Sequence, residues 1–509
     1  MELLDGWVAE SAVHTALVVE SLDGAIDTLS YQDLAERSRH VATGLMRLGA
    51  SRGDRVLVQL PNCADIVVTW FALMRLGAIF VPSNTMNTAR EVAHIVKVSG
   101  AKLAICEPAG IEIIQAADAR FDSDSVVVRG DATRYPTSFE SLLAEPLDHN
   151  AGWPAMSSDD VIELVFTSGT TSAPKAAMIT HANGRFSGLQ KAASMELRAE
   201  DRLLSALPFF HVNAQSAFLA ALTVGAPFVL LEGYSARRFF DQLERHRATV
   251  TSFVSTQVRT LLRQADHVSH RSHAVRRAWF ALDLSESERD EFRRRFGIVL
   301  YNGYGLTEAF TSVSQSPLHG DARWPAVGLP LLGREIRVVG QDGRSAARDE
   351  PGEIIIRGNP GRTVMKGYWN DRLATDAALR DGWLHTGDSG RIDERGYLHF
   401  VGRKADLIKR AGENVAAAEV ESVIINHPTV AEVAVIGVPD PIRDEAVKAF
   451  VVLRQGVTVD FAELEAWAGR RLASFKVPTE WALVTTLPRT PLGKIQKAAL
   501  RDLDARTPV

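Results

Sequence analysis

The stretch Val165-Phe-Thr-Ser-Gly-Thr-Thr-Ser-Ala-Pro-Lys175 constrains this chain more than any other, because a loop of hydroxyls and glycine lies between two apolar runs and ends on a lysine. Val161, Ile162, Leu164, Val165 and Phe166 read as a buried strand, and Ala176, Ala177, Met178 and Ile179 read as a second one. Between them Thr167, Ser168, Gly169, Thr170, Thr171 and Ser172 can turn backbone N–H groups and hydroxyls towards phosphate oxygens, and Lys175 adds a point charge. No Gly-Lys-Ser/Thr closes the loop, and a strand follows it where a Walker loop opens a helix, so that geometry is excluded. Taken alone, the segment fits both a phosphate cradle and a plain polar hairpin.

Farther along, Asn302-Gly-Tyr-Gly-Leu-Thr-Glu308 places an aromatic ring, glycines, a hydroxyl and a carboxylate in one turn. Tyr304 can stack on a purine, Asn302 can hydrogen-bond its edge, and Thr307 with Glu308 can supply hard oxygen ligands to Mg²⁺. The chain then carries Asp381-Gly-Trp-Leu-His-Thr-Gly-Asp388, Gly402-Arg403 and Pro491-Leu-Gly-Lys-Ile-Gln-Lys497. In this order the motifs resemble the adenylate-forming superfamily of acyl-CoA synthetases, peptide-synthetase adenylation domains and luciferases. The resemblance runs from Leu29 to Lys497. Ser172, Tyr234-Ser-Ala-Arg and Leu282-Asp-Leu-Ser-Glu are most similar to its carnitine and crotonobetaine CoA-ligase branch.

That resemblance implies two half-reactions. A carboxylate attacks the α-phosphate of ATP to give an acyl adenylate and pyrophosphate, and a nucleophile, most often a thiol, then displaces AMP. The loop Thr167 to Thr171 with Lys175 would hold the terminal phosphates, Thr307 and Glu308 the Mg²⁺, Asp388 and Arg403 the ribose, and Asn302 and Tyr304 the adenine. Lys494 would serve adenylation. His211 in Pro208-Phe-Phe-His211-Val-Asn213 would gate the acid pocket, with Asn213, Asp283 and Gly303 among its lining. Gly412 in Lys409-Arg-Ala-Gly412 would border the tunnel for coenzyme A, with Phe475, Lys476 and Arg443 placed to meet the CoA nucleotide. Both CoA and an acyl carrier protein fit as the acceptor, and a non-thiol nucleophile is the further alternative.

The chain departs from the superfamily at Ser172 and Ala176, where glycine is usual, so a stiffer loop is expected. Ala405 stands at the hinge, where Asp or Lys is common. Phe280-Ala-Leu-Asp283-Leu replaces a small-residue pocket floor, which suggests a small or medium acid bearing a polar or cationic group. Asp283 reads equally as a helix cap before Ser285 and Glu286.

With 57 Lys and Arg against 62 Asp and Glu, the formal charge of -5 provides no basic field for nucleic acid. Cys63 and Cys106 are too few for a disulfide framework or a zinc site, and the N-terminus lacks a signal-peptide pattern, so a cytoplasmic enzyme is expected. Leu203 to Leu231 holds no Asp, Glu, Lys or Arg, but its prolines and polar residues point to a buried helix near 214–223 and a strand at 228–231, not to a membrane span. Ser30-Tyr-Gln-Asp33 reads as a capping box. Strand and helix patterns then alternate as strand 56–60, helix 65–76, strand 79–81, helix 89–98 and strand 103–106. From Arg334 the strands shorten, and beyond Gly402 helix 418–425, strands 432–436 and 446–452 and helix 461–472 form a compact unit. The expected fold is α/β: a large N-terminal domain, 1–403, of α/β layers with a β-rich subdomain, and a small mobile α+β C-terminal domain, 404–509.

Overall fold

The amide of Ser30 donates to the Asp33 carboxylate at 2.9 Å and the amide of Asp33 donates back to the Ser30 hydroxyl at 3.1 Å, the reciprocal cap that starts helix Tyr31–Arg47. This computed structural model describes residues 1–130, 135–147, 152–167, 174–281, 284–340, 342–403, 407–410, 413–440, 444–472, 474–490 and 494–505. Four sheets organise them.

The first, of six strands, runs in the order Val126–Val128, Leu103–Cys106, Arg55–Gln59, Ile79–Pro82, Val161–Phe166 and Ala176–Thr180. All neighbours are parallel except the last pair, an antiparallel hairpin whose strands flank the Ser/Thr/Gly loop. Ala176 is the first residue of its strand, and its methyl is buried in an apolar cluster that includes Leu164 and Val81. The expected stiffening at this position therefore does not arise, because an extended residue has no need of glycine's freedom.

The second sheet has nine strands, with Leu300–Leu306, Arg277–Ala281, Val250–Val254, Leu203–Ser205, Phe228–Leu231 and Thr15–Glu20 parallel at its centre. Helix Ala64–Leu76 is buried at every residue but Asp65 and helix Val212–Val224 is largely buried, which is why both are apolar or small on most faces, while helix His181–Ser194 is buried at half its residues. The charge-free segment thus resolves into strand, 13-residue helix and strand. Among the described residues no helix is long and apolar enough to cross a membrane.

A third, antiparallel sheet comprises Glu335–Val339, Gly352–Arg357, Trp383–Ile392, Leu379–Arg380 and Leu398–Arg403. The fourth comprises Glu413–Ala416, Leu407–Arg410, Asp444–Leu453, Val430–Asp440 and Glu480–Leu483, accompanied by helices Ala417–Ile424, Phe461–Gly469 and Lys497–Ala505. The two long strands of this sheet exceed the expected spans because their ladder continues through Gly437 and the exposed Pro439 towards the hairpin tip, where a missing N–H costs little.

One buried group titrates against the fold. Glu163, in strand Val161–Phe166, is fully buried and its Oε1 accepts the Gln215 amide at 2.6 Å. Burial pushes its carboxyl up to about 8, from 4.5 in an exposed chain. Between those values the native state holds a proton that the unfolded chain has released, so this group's contribution to stability is lost as pH rises from 4.5 towards 8. Glu163→Gln, neutral and of the same shape, should stabilise the protein on the order of 2 to 4 kcal/mol at pH 8 and by much less at pH 5. Urea denaturation at the two pH values measures this, and an equal offset at both would mean that the native state holds Glu163 ionised.

Candidate active site

The loop that ends at Lys175 and the turn that ends at Glu308 are joined by a backbone strap, Met365 to Trp369. The Met365 amide donates to the Glu308 carbonyl at 2.7 Å. On its other side the strap bonds strand Ala176–Thr180: Lys366 N to Met178 O at 2.9 Å, Met178 N to Gly367 O at 2.9 Å and Trp369 N to Ala176 O at 2.8 Å. Gly367 is required here, since at φ +142 an added Cβ would lie 2.8 Å from Thr375 Cγ2. From the strap Tyr368 donates its hydroxyl to Glu308 Oε1 at 2.8 Å, and the Lys175 ammonium lies 5.2 Å from the centre of the same ring. Lys175 and Glu308, predicted to serve the phosphates and the metal, are thus brought together through a tyrosine that the motifs did not single out.

The Glu308 turn is held from behind. Arg334, buried and stacked on Phe186 at 4.8 Å, donates to the Ala309 carbonyl at 3.0 Å and to that of Thr363. Burial lowers its guanidinium to about 10, still charged at neutral pH. Phe310 sits at φ +54, a costly conformation for a bulky residue, and the Ser187 hydroxyl fixes its carbonyl at 2.9 Å. Glu308 Oε2 has no protein donor among the described residues, and Thr307 adjoins it. One carboxylate oxygen and one hydroxyl, with no cluster of three His, Cys, Asp or Glu among the described residues, fit a Mg²⁺ ion that takes its remaining ligands from phosphate and water.

Asp388 is buried in strand Trp383–Ile392 and accepts the Tyr304 hydroxyl at 2.6 Å. Loss of solvent and the Asp388 charge hold the Tyr304 phenol well above its usual range, so it remains a donor. Its ring faces Phe400 at 5.8 Å, which leaves an aromatic platform beside the carboxylate expected at the ribose. Arg403 stands opposite Asp388 in the ladder. Asn302 spends its amide nitrogen on the carbonyls of Pro325 and Ala326, at 3.1 and 3.2 Å, so only the buried Oδ1, which lacks a partner among the described residues, is left to accept from a base edge.

On the acid side, His211 is the residue preceding helix Val212–Val224, with its ring 4.7 Å from that of Phe210. Burial and the positive charge of Lys494 press its imidazole down to about 4, so the ring is neutral at physiological pH. The pocket wall differs from expectation. Strand Arg277–Ala281 alternates: Phe280 is fully buried on the opposite face, in the cluster with Phe253 and Phe292, while Trp279 and Ala281 turn towards the core that contains Tyr304. A Cβ at Gly303 would lie 2.7 Å from Trp279 Nε1, so the glycine makes room for the indole. Trp279, not Phe280, is the large side chain on this side, and a period-two reading of the strand is the signal that could have found it.

A sequence profile described as AMP-binding enzyme matches residues 4–369, and one described as AMP-binding enzyme C-terminal domain matches 419–494. The chain belongs to the AMP-binding enzyme family. It is 40% identical over 496 residues to a crotonobetaine/carnitine–CoA ligase of Salmonella enteritidis, covering 96% of each chain, and 39% identical over 499 residues to that of Salmonella agona, again 96% of each. Among solved structures, ATP-bound MatB from Rhodopseudomonas palustris superposes with a TM-score of 0.88 at 30% identity over 99% of each chain. The o-succinylbenzoate CoA synthetase of Bacillus subtilis, in complex with its acyl-adenylate intermediate, superposes with a TM-score of 0.85 at 27% identity over 98% of each.

Within this AMP-binding enzyme, Ser168, Gly169, Thr170, Thr171 and Ser172 of the loop, Asp283, Ala405, Gly412 and Arg443 lie outside the described residues. Thr167 begins the loop, its amide bonded to Lys175 O at 2.9 Å. Lys476, expected to meet the CoA nucleotide, is paired here with Glu419 at 2.7 Å. If Tyr368 orients Glu308, Tyr368→Phe keeps the ring under Lys175 but removes one hydrogen bond to a charged group, and acid-dependent pyrophosphate release should fall by roughly ten- to a hundred-fold. A titration of rate against Mg²⁺ reads the cause: the half-saturating concentration should rise, and an unchanged value would detach Tyr368 from the metal.

Proposed function

We infer that this enzyme activates a small or medium carboxylic acid with ATP and Mg²⁺, releasing pyrophosphate, and passes the acyl group to the thiol of coenzyme A. In the first step a carboxylate oxygen bonds to the α-phosphorus as the bond to the bridging oxygen of the β-phosphate breaks. In the second, the thiol sulfur bonds to the acyl carbon, AMP leaves, and the thiol proton passes to solvent. The observation that carries this reading is the convergence of Lys175, Tyr368 and Glu308, joined by the strap from Met365 to Trp369.

The chemistry needs charge and position more than proton transfer. Residues 1–403 would bind ATP and acid, and 404–509 would carry Lys494 and turn about residues 403–406. Lys175 and the loop starting at Thr167 would take the β- and γ-phosphates. Glu308 and Thr307 would hold Mg²⁺, which when bound screens the phosphate charges. Asp388, with Arg403 opposite, would accept the ribose hydroxyls, and the Tyr304 ring would flank adenine. Lys494 would stabilise the charge that gathers as carboxylate meets phosphate: a full charge pair at about 4 Å and an effective dielectric near 20 is worth about 4 kcal/mol. A neutral His211 would border the carboxylate without forming a competing ion pair. Gly412 would leave room for pantetheine after rotation. An acyl carrier protein is the other acceptor this arrangement admits, and the buried free thiols of Cys63 and Cys106 accord with a reducing cytoplasm.

A panel of carboxylic acids scored for pyrophosphate release, with and without CoA, tests the overall reading. CoA should convert the adenylate to a thioester, and a carrier-protein acceptor would leave free CoA without effect. Lys494→Ala should abolish acid-dependent pyrophosphate release yet still convert a chemically prepared acyl adenylate to thioester at near the parent rate. Equal damage to both half-reactions would make the C-terminal part a fixed lid.

A further inference from the structure

The acid pocket has a polar end that the motifs do not contain. Lys191, on helix His181–Ser194, is 4% exposed and no acidic group faces it among the described residues. Its Nζ lies 3.5 Å from Asn213 Oδ1, a contact at the limit of hydrogen bonding, and 4.4 Å from the centre of the Trp279 ring. The Trp279 indole N–H is itself buried with no acceptor among the described residues, and it abuts Gly303. Two buried donors on contacting side chains therefore have one weak acceptor among the described residues, and they lie beside Asn213 and Gly303, which the family resemblance assigns to the acid.

We propose that Lys191, assisted by the Trp279 indole N–H, receives an anionic group at the far end of the substrate, so that the acid activated here is a short or medium dicarboxylic acid. The proposal rests on the acid-activating reading above and deepens it. A buried donor is expensive to leave without an acceptor, and a carboxylate has oxygens enough to accept from both. Burial lowers the Lys191 ammonium to about 7, so an arriving anion also restores its full charge. A trimethylammonio acid would bring a second positive charge to the same spot, which sets this pocket apart from one built for carnitine. The expectation of a polar or cationic group on the acid drew on Asp283, which lies outside the described residues, whereas the described side chain beside Asn213 is a lysine.

The test compares kcat/KM for pyrophosphate release with succinate, glutarate and adipate, the monoacids of the same carbon number, and 4-(trimethylammonio)butanoate. The full-length enzyme should prefer its best diacid over the matching monoacid by roughly thirty-fold or more, and over the trimethylammonio acid by more still. Lys191→Met should shrink the diacid-to-monoacid ratio to within about threefold, chiefly through KM, and Lys191→Arg should keep most of it. Trp279→Phe, which removes only the N–H, should lower the ratio by roughly five-fold and decides the matter should Lys191→Met fail to fold, judged by its ATP·Mg²⁺ thermal shift. A ratio unmoved in these variants, or a parent enzyme that favours the monoacid or the trimethylammonio acid, overturns the proposal while leaving acid activation standing. Absence of pyrophosphate release with every acid of the wider panel would instead overturn the acid-activating reading itself.

Discussion

The strap from Met365 to Trp369 is the constraint on which the phosphate side depends. It is bonded by its main chain to strand Ala176–Thr180 on one side and to the Glu308 carbonyl on the other. Main-chain bonds set the separation of Lys175 and Glu308 whatever side chains surround them, and Tyr368 adds a side-chain link between the two. A phosphoryl-transfer site made of opposed charges benefits from this, because a shift of about an ångström in a positioned group costs far more rate than it costs stability.

Burial also decides which groups around the acid carry charge. Glu163 is held protonated, His211 is held neutral and Lys191 is brought near its neutral point, each by loss of solvent as the leading cause. Left exposed, Glu163 would be an anion and His211 a partial cation at neutral pH. Lys494, the lysine proposed for adenylation, belongs to the C-terminal part of the chain, far in sequence from the strands that carry the other groups.

Much of this was legible in the sequence where the chemistry is local. The hairpin at Lys175, the Ser30 cap, strands Leu103–Cys106 and Phe228–Leu231 and the Glu308 turn depend on neighbours along the chain, and periodicity and turn residues report such neighbours. What escaped is tertiary. Tyr368, Arg334 and Lys191 occupy stretches without a motif, and their roles exist only once distant segments meet. Asn302 reads as a partner for the base edge, and nothing local shows that Pro325 and Ala326 take both its hydrogens and leave only Oδ1 to accept. The motif places Phe280 with its neighbours at the pocket floor, although a strand sends adjacent residues to opposite sides.

That alternation separates two kinds of change. Ala278 and Phe280 support the core formed with Phe253 and Phe292, whereas Trp279 and Ala281 look towards the acid side. Trp279 is itself buried in the larger core, so a change made there to alter the proposed acid preference also removes packing, and truncating such a ring costs about 3 to 5 kcal/mol. Ala281, half-buried at the end of the strand, carries little of that packing, so the two positions of one face differ in what a substitution there would cost the fold.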